Sequence, residues 1–134
     1  WIDFNASYAI TDSFGKNLGK IARKGMRSIW KATYNIFDHN ENQKYKVQEE
    51  NAWVKIIDGI VSDIPIIGMF TGYFLNPSYI VHDNTGKEIY RLRKMPSFFG
   101  RKFQLDQLND IADEEETLVV LSLMMMVLLE RAKG

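Results

Sequence analysis

Cysteine is absent from the chain, and histidine occurs only twice, as His39 and His82. The first absence excludes disulfides, thiolate nucleophiles and cysteine metal sites together, and leaves the redox compartment open. The second leaves any metal site dependent on carboxylates, and no paired spacing of His with Asp or Glu suggests one. Net charge is missing too: 17 basic and 17 acidic side chains cancel, so no overall field draws the molecule towards nucleic acid or lipid. The phosphate-cradling GxxxxGK[ST] and dinucleotide-binding GxGxxG patterns do not occur. A non-enzymatic protein without metal or cofactor is the expectation.

What is present suits one globular domain over 1–134, since 46% apolar and 25% charged residues in 134 can build a real core. The first apolar positions alternate with polar ones and follow no basic region, so no signal peptide is expected. Charge is balanced but clustered. Lys16, Lys20, Arg23, Lys24, Arg27 and Lys31 lie in a stretch from Ser13 to Phe37 that holds no acid. A second basic block, RLRKMPSFFGRK, carries Arg91, Arg93, Lys94, Arg101 and Lys102, and acid follows it from Asp106 to Glu116.

Three segments align without gaps: SYAITDSFGKNLGKI (7–21), TYNIFDHNENQKYKV (33–47) and SYIVHDNTGKEIYRL (78–92). Each reads Ser/Thr, Tyr, any residue, Ile/Val, any residue, Asp, then a polar turn. Tyr and Ile/Val two apart share one strand face. Asp followed by Gly or Asn supplies turn chemistry, which makes each segment a predicted β-hairpin and explains Asp12, Asp38 and Asp83 without catalysis. AWVKII (52–57) reads as a strand. IPIIGMFTGYFL (64–75) reads as buried strand with a bend, because Pro65, Gly68 and Gly72 argue against a long helix.

Helical sequence is expected from about Asp106, with the main helix at 113–132. Asp113 and Glu116 fit a capping box, and Glu114 to Glu116 suit the positive end of the helix dipole. From Leu118 to Leu129 only Ser122 is polar. A surface helix would show polar residues on one side, so this one is expected to be buried all round. Its twelve apolar-rich positions span about 18 Å, against the roughly 30 Å of a bilayer core. A helix enclosed by sheet follows, not a transmembrane span.

The repeated Tyr-x-Ile/Val-x-Asp hairpins, GYF-x-NPSY, KMPSFFGRKF and the closing apolar helix ending in LLER together resemble the tubby-like superfamily, which includes the Tubby C-terminal domain, the phospholipid scramblases and the LURP-one-related proteins. The resemblance is nearest to small bacterial members. It implies a mainly β fold: a closed antiparallel β-barrel of about ten to twelve strands around a buried hydrophobic C-terminal helix, with room for strands upstream of Trp1. By analogy with the Tubby domain it also implies a basic surface for anionic phospholipid headgroups.

The basic block is the segment best suited to that role. Arg91 and Arg93 share a strand face, while Lys94, Arg101 and Lys102 flank a turn carrying Phe98 and Phe99. Arginine forks and nearby rings suit a phosphate at a membrane interface. The expected location is the cytoplasm, peripheral at a membrane. The alternatives are a structural or protein-interaction domain and, more weakly, nucleic-acid binding by Lys16 to Lys31 with Trp30 and Tyr34 beside it.

Overall fold

The computed structural model describes residues 6–23, 33–50, 78–95, 100 and 102–132. These form strands β1 (Ser7–Thr11), β2 (Asn17–Arg23), β3 (Thr33–Asp38), β4 (Gln43–Glu49), β5 (Ser78–Asp83), β6 (Glu88–Met95) and β7 (Lys102–Gln107), followed by helix α1 (Asp113–Ala132). Every strand pairs antiparallel with its neighbours in sequence, giving one sheet in the order β1 to β7. The strands expected at 52–57 and 64–75 lie outside the described residues.

Each cassette is a hairpin, and its turn is built the same way three times. Oδ1 of Asp12 accepts hydrogen bonds from the backbone N–H groups of Phe14 and Lys16 at 2.8 and 2.9 Å. Asp38 does the same for Asn40 and Asn42, both at 2.9 Å, and Asp83 for Thr85 and Lys87 at 2.8 and 3.0 Å. The chain then turns through a left-handed residue: Gly15 at φ 81°, Glu41 at 65° and Gly86 at 86°. A bulge follows the Ile or Val of every cassette, at Ile10/Thr11, Ile36/Phe37 and Val81/His82. One short carboxylate thus satisfies the donors that a tight turn strands.

The period of two sends Ile10, Ile21, Tyr34, Ile36, Tyr45, Val47, Tyr79, Val81, Tyr90 and Leu92 to one face, where they form the core with the helix. Leu118, Val119, Ser122, Leu123 and Met126 are the helix's buried stripe. The helix does not meet the expectation of burial all round: Met124 and Leu128 are 58% and 56% exposed. Nor is the barrel closed. Among the described residues the sheet is an open half-barrel with β1 and β7 as its edges. The two departures have one cause, because seven strands curve around only part of a helix's circumference and leave its far side uncovered. Among the described residues no helix is long and apolar enough to cross a membrane.

Two smaller expectations also change. Asp106 and Gln107 continue β7 instead of beginning helix. At the start of α1, the Ala112 carbonyl accepts the first helical hydrogen bond, from Glu116 N–H at 2.9 Å. Ala112 therefore holds the N-cap position, and Asp113 joins Glu114, Glu115 and Glu116 as first-turn charge on the dipole.

The helix lies closest to β1, β2 and β3. The thirteenth cassette position explains this, being Gly19 in the first hairpin and Tyr45 and Tyr90 in the others. A Cβ on Gly19 would stand 2.0 Å from the Phe37 carbonyl oxygen and 3.0 Å from Leu118 Cδ1. Glycine lets the helix settle there. Elsewhere tyrosines reach up to it: the Tyr45 hydroxyl donates to Glu115 at 2.8 Å, and the Tyr34 hydroxyl donates to Glu130 near the other end.

Candidate anion-binding site

Strand register divides the basic block between two faces. Arg91 pairs with Asp106 and Arg93 with Gln104, so these residues share the outer face of the β6–β7 ladder. Lys94 pairs with Phe103 and faces the helix instead. Lys102 is exposed at the start of β7, opposite Met95. Arg101, Phe98 and Phe99 lie outside the described residues.

On the outer face the two arginines are met by carboxylates. Arg91 Nη2 is 3.4 Å from Glu50 and 3.9 Å from Glu88, while Arg93 Nη2 is 2.6 Å from Asp106 Oδ2. Gln104 Nε2 donates to the other Asp106 oxygen at 2.7 Å. The Gln104 hydrogen bond, then that of Arg93, holds the Asp106 carboxyl below its usual range. Such a ladder fixes the arginine side chains and cancels much of their field.

Lys94 occupies different surroundings. It lines a cavity of about 170 Å³ at the C-terminal end of α1, with Tyr79, Phe103, Met126, Val127, Glu130 and Arg131. Two cations and one carboxylate therefore share this mouth, and that carboxylate already accepts from Tyr34. Burial, then the Glu130 hydrogen bond, pushes the Tyr34 hydroxyl far above its ordinary pKa, so it stays a neutral donor. The contribution of Arg131 was missed in sequence, where a terminal basic residue reads simply as a partner for the helix dipole.

The other candidates separate. His39 is exposed in the second turn. His82 sits half-buried on β5, its Nε2 4.0 Å from Glu88. Of the segment offered for nucleic acid, Lys24, Arg27, Trp30 and Lys31 lie outside the described residues. Lys20 is bound to Glu41 at 2.8 Å and lies 5.3 Å from the Phe37 ring centroid. Tyr34 is fully buried under the helix, so it offers no stacking platform for a base.

Comparison with family models, curated proteins and solved structures finds no match.

Proposed function

We propose that this chain is a non-enzymatic, tubby-like binding module that docks an anionic phospholipid headgroup, working peripherally at the cytoplasmic side of a membrane. The observation that carries the reading is the shared cavity of Lys94 and Arg131 at the end of the sheet where Lys102 stands exposed. A phosphate there meets two cations partly shielded from water, where charge-assisted hydrogen bonds are stronger than on an open surface. Arg101 extends the same basic run in sequence. Arg91 and Arg93, already paired with carboxylates, contribute less net field and serve to stiffen the ladder behind it.

Liposome co-sedimentation tests the proposal. Vesicles containing anionic lipid should pellet the protein, and the Lys94→Gln/Arg131→Gln double variant should release it. Equal pelleting on neutral vesicles overturns the reading.

A second reading, a protein-interaction domain, draws on Phe14. It is 94% exposed at the tip of the first hairpin, where the equivalent turns carry Asn40 and Thr85. The turn's hydrogen bonds need no aromatic there. Sedimentation analysis of the parent and Phe14→Asn should separate an associating protein from a monomeric variant. A parent that stays monomeric at high concentration removes that support.

A further inference from the structure

The cavity at the helix C-terminus continues into a second one, for Phe103 and Val127 line both. The second has a volume of about 280 Å³. Its floor is Leu92 and Leu105, one residue from each strand of the β6–β7 ladder. Its wall is the flank of α1, formed by Val120, Leu123, Met124 and Leu128. No polar side chain lines it. From Val120 to Leu128 the helix rises about 12 Å.

The groove follows from how the helix is seated. Gly19 draws α1 towards β1–β3, and the opposite flank stands off from β6 and β7. Leu105, Met124 and Leu128 are consequently 37%, 58% and 56% exposed along one channel. Contiguous exposed apolar surface of this kind marks a binding groove more often than scattered leucines do.

The charge pattern identifies the occupant. One end of the channel carries Lys94 and Arg131 against the single carboxylate of Glu130, and the rest is hydrocarbon. That arrangement complements an anionic headgroup attached to one hydrocarbon chain. We propose that the groove binds an anionic single-chain amphiphile, with its carboxylate or phosphate between Lys94 and Arg131 and its alkyl chain between α1 and the β6–β7 ladder. The inference deepens the anionic-headgroup reading and rests on it at the mouth; the chain-binding groove is the addition.

Calorimetric titration with octyl, decyl and dodecyl phosphate, each below its micelle concentration, tests the groove. Affinity should rise roughly fourfold per added methylene until the channel is filled, then level off. The matching neutral alkyl glycosides should bind at least tenfold more weakly. Met124→Lys, at a position exposed enough to keep the fold, should flatten the dependence on chain length. Lys94→Gln/Arg131→Gln should weaken every phosphate while leaving that dependence in place. Alkanoates in place of the phosphates distinguish a carboxylate ligand from a phosphate ligand. Affinity that ignores chain length, or glycosides that bind as well as phosphates, overturns the inference. Anionic vesicles that still pellet the protein in that case leave the headgroup reading standing. Loss of vesicle binding with the chain-length dependence intact removes membrane docking and supports the groove.

Discussion

The Tyr34 hydroxyl donates a hydrogen bond to the Glu130 carboxylate across 96 positions of sequence, fastening the last turns of the helix to the third strand. Tyr45 does the same for the first turn through Glu115, 70 positions away. The helix is thus held at both ends by phenols that must remain protonated.

That requirement predicts alkaline sensitivity. Burial first, then the carboxylate partner, raises the pKa of both Tyr34 and Tyr45 above the ordinary value near 10. A raised folded-state pKa gives stability that is complete below the unfolded value and is lost as pH rises towards the folded one. Unfolding should therefore become easier from about pH 10 upwards. Tyr34→Phe should cost about 1–2 kcal/mol at neutral pH through the lost hydrogen bond, yet flatten the alkaline limb. Urea titrations at neutral pH and above pH 10 check this, and parallel alkaline limbs in parent and variant would contradict it.

The hairpin turns predict the opposite limb. Hydrogen bonds from Asn42 to Asp38, and chiefly from Thr85 to Asp83, lower both carboxyl pKa values. A depressed folded-state pKa gives stability present above the unfolded value, near 4, and lost as pH falls through the folded one. Asp106 and Glu41 are lowered as well and share in this limb. The Asp38→Asn/Asp83→Asn variant keeps an oxygen acceptor in each turn but cannot titrate there. Its acid unfolding, followed by circular dichroism, should begin at lower pH than the parent's. Coincident acid curves would remove the turns as its source.

Neighbouring methionines should differ sharply. Met126 is fully buried, whereas Met124 is 58% exposed on the groove side. Met126→Ala should cost about 2–5 kcal/mol. Met124→Ala should stay within about 0.5 kcal/mol. Equal losses in chemical denaturation would mean that the helix is enclosed on both sides.

Gly19→Ala should be among the most damaging single changes. Its φ of 152° and the 2.0 Å approach to the Phe37 carbonyl leave no room for a methyl group. The loss should reach at least about 3 kcal/mol, because a backbone oxygen cannot swing aside as a side chain can. A variant that melts like the parent would show that the helix does not press on β2.

Turn chemistry is why the hairpins could be read from sequence. Asp12, Asp38 and Asp83 act within four residues of themselves, so no distant contact decides their geometry. The helix span was legible for a similar reason, since its composition and terminal charges are local. Its one-sidedness was not. Val119 and Val120 are chemically alike, and only the curvature of the sheet leaves one fully buried and the other lining a channel. The basic block was legible as charge but not as geometry. Lys94 turns away from Arg93 because neighbours alternate faces, and it meets Arg131 only because the helix returns along the sheet. The Gly19, Tyr45 and Tyr90 correspondence was available in the aligned cassettes, and its meaning required the helix above it.

The order of elements has a consequence for how the protein is made. Every strand pairs with the one synthesised just before it, so the sheet can assemble hairpin by hairpin with little loop-closure cost. The helix that covers its apolar face follows all seven of these strands in the chain. Until α1 emerges, a nascent sheet exposes tyrosines, isoleucines and valines with nothing from α1 to shield them. That interval is when chaperone binding or aggregation competes with folding, and a translational pause before Asp113 would lengthen it.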